Sequence, residues 1–144
     1  MVVDTQKSLL TYIYDLLTGN TGLKTAMGGT VRLALTWAQP DTVFPYLVHR
    51  LDVVADDFYP MRRAVYYLDV WSDSPAAEEV LAIRQLIIAL LDELEFSTAE
   101  ATRARFLLQT DGFIPEPEQG IWHYAIMFNL RYFRDAEIDA IDSR

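Results

Sequence analysis

Apolar positions along this chain switch between two periods. Leu9, Leu10, Ile13, Leu16 and Leu17 recur at helical spacing behind Asp4 and Thr5, either of which can cap, and Gly19-Asn20 closes the pattern. An amphipathic helix is predicted there. After "TGNTGLKTAMGG", where residues 23–27 allow one short turn, residues 31–37 read as a strand leading into the loop "AQPDTVF". The stretch "DTVFPYLVHRLDVVADDFYPMRRAVYYLDVWSDSP" then alternates with period two, predicting strands over 45–55 and 63–72 around a polar turn at 56–62. The alternation puts Leu47, Leu51 and Val53, with His49, on an apolar face. Tyr46, Arg50 and Asp52 fall on the other, as in an antiparallel sheet buried on one side.

Ser74 and Pro75 introduce the strongest helix, over 76–94, with Val80, Ile83, Ile87, Leu91 and Leu94 on one face and Leu81, Ile88 and Leu90 widening the stripe. Two last strands are predicted over 101–110 and 121–134. They are joined by "DGFIPEPEQG", residues 111–120, whose two prolines and three acids cannot continue a central strand. On the final strand Trp122, Tyr124, Ile126, Phe128, Leu130 and Tyr132 share one face, and His123, Asn129 and Arg131 the other. The order helix, strand, hairpin, helix, hairpin predicts an α+β fold. Its sheet is single, has four to five strands, and is antiparallel throughout or mixed at one edge, with two main helices packed on one face. Residues 1–134 form one domain, and the acidic tail "DAEIDAIDSR", residues 135–144, carries Ile138 and Ile141 as its only large apolar side chains.

Composition narrows the function classes. The chain has 144 residues, of which 51% are hydrophobic, enough for one substantial core. A formal charge of -9, from 12 Lys and Arg against 21 acids, argues against a general nucleic-acid binder, which needs clustered cations for phosphate. Without cysteine there are no disulfides or thiolate metal sites. The start "MVVDTQKSLL" lacks a basic region before a long apolar core, and no apolar run approaches the roughly 18 residues needed to cross a bilayer, so the expectation is a soluble protein made in the cytoplasm.

No residue set announces chemistry. His49 and His123 each lie in a predicted strand without a ligand-spaced histidine, and the better reading is a hydrogen-bonded sheet histidine in both cases. Asp52, Asp56 and Asp57 have the oxygens a divalent cation wants, yet acids are ordinary around a turn. Ser72 and Ser74 beside Asp73 read as a helix-capping segment rather than part of a triad, and Gly28-Gly29 as a turn rather than a phosphate loop. Arg62-Arg63 and Arg103/Arg105 are the basic clusters. Too few for a nucleic-acid face, they are expected to pair with acids of the same or a neighbouring chain. The aromatic row on the last strand is expected in the core rather than stacked on a ligand. No catalytic, cofactor-binding or metal-binding residue is assigned.

Against that background, "LLTYIYDLLTGNTGLKTAM", "VFPYLVHRLD" and "YYLDVWSDSPAAEEVLAIRQLIIALLDEL", followed by two strands, resemble the tail-terminator or tail-completion proteins of long-tailed bacteriophages, the minor tail protein U-like family. Pro45-Tyr46 matches the Pro-Tyr or Pro-Phe that opens a strand in that family. Val70-Trp71-Ser72 matches the triplet ending the strand before its long helix. The likeness spans residues 8–134 and departs from the pattern in the acidic tail. It implies a structural virion protein without enzymatic activity or cofactor. Such a subunit joins others in a homo-oligomeric ring, a hexamer, at the head-proximal end of the tail, which stops tube polymerisation and offers a surface to the head connector. The implied partners are further copies of the chain, the tail-tube protein and the connector or head-closure protein, with DNA passing through the lumen without tight binding and no membrane involved. Asp56, Asp57, Phe58 and Tyr59 in the hairpin turn, and Phe113, Ile114, Glu116 and Glu118 in the 111–120 loop, are the expected docking residues. Two other readings stay open: a head-closure or connector subunit of the neck, and a small enzyme or ligand-binding module built on Asp52, Asp56 and Asp57.

Overall fold

The computed structural model describes residues 5–58 and 61–133. Helix α1 (Thr5–Thr18) ends at Gly19, and Asn20 caps α2 (Thr21–Ala26), its side-chain oxygen accepting the Leu23 N–H at 2.8 Å. Gly28 and Gly29, with φ of 85° and 114°, make the expected turn, since glycine takes that region without a Cβ clash. Strand β1 (Leu33–Leu35) is shorter than its sequence pattern suggests, because Thr36 turns into the left-handed region at φ 70° and leaves the sheet. The long strands are β2 (Tyr46–Phe58) and β3 (Met61–Ser72), then, after α3 (Glu78–Leu91) and the two-residue β4 (Glu95–Phe96), β5 (Thr102–Ile114) and β6 (Trp122–Phe133).

They form one six-stranded sheet in the order β1-β2-β3-β6-β5-β4, so the count exceeds the expected four to five. The one strand without an expected counterpart is the two-residue edge strand β4. β1 joins β2 in parallel and every other pairing is antiparallel, which is the mixed-edge form of the expected sheet. The two hairpins meet at the centre through β3 and β6, paired from Met61↔Phe133 to Ser72↔Trp122. The family-like landmarks fall at strand ends: β2 opens at Tyr46, after Pro45, and β3 closes at Ser72.

The core lies between one sheet face and the helices. Leu47 and Leu51, Tyr66, Leu68 and Val70, Phe106, and Tyr124 to Tyr132 at alternate positions bury against Leu9, Ile13 and Leu17 of α1 and Val80, Ile83, Ile87 and Leu91 of α3. The alternation assigned to β2 and β6 is thus observed, with Trp122 only half-buried. Phe106 sits at the centre of an aromatic cluster, its ring centroid 5.7 Å from those of Tyr66, Phe96 and Phe128.

Besides β1, three element limits differ from the sequence reading. The hairpin strands run through the expected turn, with Asp56 opposite Arg62 and Phe58 opposite Met61, and the ladder absorbs this through irregularities at Val53/Ala55 and Asp56/Phe58. Helix α3 begins at Glu78 behind Ala77 rather than at Ala76, and it stops at Leu91, three residues before Leu94. Its start is not capped by Ser74. Instead the buried Ser72 hydroxyl donates to Glu79 at 2.7 Å and accepts the Ser74 N–H, tying the end of β3 to the first helical turn. Its end is set at Asp92, which turns to extended backbone at ψ 128° while its N–H still donates to the Ile88 carbonyl, and Glu93, a non-glycine residue at φ 64°, follows. Finally, β5 continues through Asp111 to Ile114, so the connection to β6 is 115–121 rather than the whole of 111–120.

Candidate interaction surfaces

The sheet face turned away from the helices carries the polar set of each strand. At the end where β2 and β6 begin, Phe44, Tyr46, Trp71 and His123 form a ladder across three strands. Ring centroids are separated by 5.0, 6.0 and 3.8 Å in turn, with Trp71 and His123 stacked at 16°. His123 Nδ1 lies 2.7 Å from Glu116 Oε1. Asp69 Oδ2 is 3.5 Å from Nε2, too far and too poorly aligned for a hydrogen bond, so this carboxylate acts on the ring through its charge. Burial pushes the imidazole pKa down, but the two carboxylates outweigh it and hold the pKa above the usual histidine range. Beside the ladder, Arg50 lies over the Tyr67 ring at 4.2 Å and pairs with Asp52 at 3.2 Å.

His49 is the opposite case. Its Nδ1 meets the buried Tyr66 hydroxyl at 2.8 Å on the helix-covered face, no carboxylate is bonded to it, and burial alone lowers its pKa to about 4. Both histidines are therefore hydrogen-bonded sheet residues, as expected, though only His123 carries a charge network.

A third polar cluster, which the sequence did not suggest, joins α3 to β5 and β6. Asp111 Oδ2 accepts from Arg84 Nε at 2.8 Å, lies 2.7 Å from Arg84 Nη2, and accepts from the Tyr124 hydroxyl. Burial pushes the Asp111 carboxyl up, while the bonds from Tyr124 and Arg84 and the Arg84 charge bring it below its ordinary value. Burial and the Asp111 carboxylate both raise the Tyr124 hydroxyl. With the carboxylate ionised and the phenol protonated, the cluster pins the helix to the sheet and leaves neither group poised to exchange a proton at neutral pH. Arg32 is a comparable tie, donating to the carbonyls of Met27, Val43, Phe44 and Pro45 and so holding the loop before β2.

The expected docking residues separate into two groups. Asp56, Asp57 and Phe58 lie in the terminal part of β2, where only the backbone is described, and Tyr59 lies outside the described residues. Phe113 and Ile114 are in β5, with 47% and 42% of their surface exposed, and Phe113 is half folded back onto Trp122 and Tyr124 at 5.7 and 4.9 Å. Glu118 is exposed, whereas Glu116 is committed to His123. Asp52 and the backbone of Asp56 and Asp57 run along one strand, and among the described residues no three acidic or histidine side chains gather as a metal site would require.

Exposed apolar side chains concentrate at the lateral edges of the sheet. Tyr14, Leu35, Trp37 and Val43 flank β1, while Phe113 and Ile114 lie at the end of β5 on the other side. The edges themselves are only partly covered. β1 pairs with residues 47–49 of β2, and β4 pairs with residues 104 and 105 of β5. Residues 91–94 reach β5 as far as Leu108, whose N–H is accepted by Asp92 at 2.9 Å. Among the described residues, no strand lies on β2 beyond His49 or on β5 beyond Leu108, and the registers place these two stretches at diagonally opposite corners.

No protein-family model matches the chain, and no curated protein matches its sequence. Solved structures do share its fold. A chain from the virion of a native gene transfer agent (GTA) particle superposes with a TM-score of 0.76 at 14% identity, covering 92% of this chain and 99% of that one. A second solved chain, known only by a sequence label, gives a TM-score of 0.65 at 12% identity, covering 89% and 92%. The class defined is an α+β single-sheet fold matched over nearly the full length of both chains, and no helix among the described residues is long and apolar enough to cross a membrane.

Proposed function

We propose that this chain is a structural virion protein of phage type and, more narrowly, a tail terminator. Its copies close into a ring, six-fold by the family likeness, on the head-proximal end of the tail tube, where they stop polymerisation and present the surface for head joining. The observation that carries the reading is the near-complete fold match to a chain of a gene transfer agent virion. Two features of the molecule support it. The partly covered sheet edges lie at opposite corners, so a head-to-tail contact between copies can use both, as ring closure requires. The polar contacts of His49, Ser72 and Arg84 hold elements together, which suits a protein that works through shape and contact.

Phe113 and Ile114, with Glu118, are the docking residues this reading retains for the tube or connector. The duplex passes through the lumen without tight binding, given the net charge of -9. Electron microscopy of the purified protein, alone and mixed with tail tubes, tests the assignment: rings with a central hole at one tube end are expected, and tube ends without added density overturn it. Phe113→Ser with Ile114→Ser should leave the fold intact but give overlong or unattached tails. Gel shift with duplex DNA at physiological salt should show no tight complex.

A further inference from the structure

We propose that the acidic segment 135–144 docks on the open sheet face of its own subunit, in the arginine-bearing groove beside Phe133. The groove has a volume of about 500 Å³, and its lining includes Arg103, Arg105, Leu107, Asn129, Arg131 and Phe133. An accumulation of arginines on one face of a chain with net charge -9 stands out against the rest of the molecule. Its geometry is set by the backbone: the β5 ladder is irregular between Thr102 and Arg105, with Arg103 at φ 55° and its N–H held by Ser97 Oγ at 3.0 Å. A bulge of this kind re-aims side chains, and here Arg103 and Arg105 are both exposed. Their acidic neighbours, Glu95 at 3.5 Å and Glu93 at 4.0 Å, are exposed as well, so these are weak pairs that exchange partners readily.

The occupant is selected by charge, by apolar content and by where the chain emerges. "DAEIDAIDSR" holds Asp135, Glu137, Asp139 and Asp142 against Arg144, and offers Ile138 and Ile141 to Leu107 and Met61 of the groove. Phe133, the last described residue, itself lines the groove, so the segment starts at the site it would fill. The following eleven residues reach about 35 Å when extended, more than the groove needs. Tethering at this distance gives an effective concentration of order millimolar, which favours the chain's own tail over that of a second copy at micromolar protein. Any acidic partner of this face must then displace the tail. The inference is independent of the terminator reading, since it concerns the single subunit.

The absence of cysteine makes a direct test simple. In Leu107→Cys/Ile138→Cys, mild oxidation of dilute protein should give an intramolecular disulfide about tenfold faster than in the control Leu81→Cys/Ile138→Cys, whose first site is on α3. The advantage should shrink severalfold at about 1 M salt, where screening acts within about 3 Å. It should also fall when Arg103→Glu and Arg105→Glu are added, and the salt series on the parent pair covers the case in which those variants fold poorly. Equal rates in the two cysteine pairs, a salt-insensitive advantage, or disulfides mainly between copies would each overturn the proposal.

Discussion

The two faces of the sheet treat the same side chain in opposite ways. His49, under the helices, has a tyrosine hydroxyl for a partner and is held neutral, whereas His123, on the open face, lies against Trp71 between Glu116 and Asp69 and is biased toward the imidazolium. Both are buried, so burial alone does not decide protonation. What differs is whether carboxylates accompany the ring into the low-dielectric site. The covered face supplies the apolar burial and admits charge at the Arg84–Asp111 tie, where cation and carboxylate enter together, while the open face collects charge and aromatic surface outside the core.

The contrast should be sharpest for neighbours on one strand. Phe106 points under the helices and Leu107 away from them. Phe106→Ala should cost about 3–5 kcal/mol by urea denaturation, through the cavity left among Tyr66, Phe96 and Phe128. Leu107→Ser, on the open face, should cost about 1 kcal/mol or less, the contact with the docked tail included. Similar losses at both positions would mean that the open face is packed after all.

Acid should act next most strongly, through His49. Its folded pKa of about 4 lies below the 6.5 of the unfolded chain, so between those values the unfolded state binds more protons and stability falls as pH falls. Over that window the loss amounts to about 3 kcal/mol, and His49→Leu should remove this part of the acid slope in denaturation curves taken between pH 7 and 4. Arg84→Met tests the tie between the layers. It strips Asp111 of its cation, and a loss of about 1–3 kcal/mol at pH 7 is expected.

His123 should give the smallest effect, with the other sign. Its folded pKa is raised, so its contribution is fully present below the unfolded value of 6.5 and is lost as pH rises through the folded value. His123→Gln should therefore be destabilising near pH 6 and close to neutral at pH 9. NMR titration of the two imidazoles, one moved down and one up from 6.5, checks the pair together.

How much of this was legible in the sequence depends on the range of the interaction. Period-two alternation in "YLVHRLDV" and "WHYAIMFNLRY" and helical spacing in "EEVLAIRQLIIALL" each record which side of an element meets the core, and those assignments are observed. Element ends were less legible. "LLDELEF" has no glycine or proline to stop the helix, and the chain leaves it at Asp92, whose side chain accepts the Leu108 N–H of β5, with Glu93 following at positive φ and its N–H on the Phe106 carbonyl. "DGFIPEPEQG" reads as loop because its two prolines and three acids cannot continue a central strand, yet Asp111 and Gly112 are strand because β6 offers them a ladder and Arg84 and Tyr124 give Asp111 a partner.

The sequence by itself determined the α+β class, the buried faces and the acidic balance, because these follow from local periodicity and composition. Only the tertiary structure decided that the two hairpins join through β3 and β6, that His123 meets Glu116 and Asp69, and that Arg84 meets Asp111 and Tyr124. It also decided that Arg103 and Arg105 share a groove with Arg131 and Phe133. Such meetings are set by the pairing register and layer packing of distant segments, and side-chain identity along one strand carries no record of which strand will lie beside it.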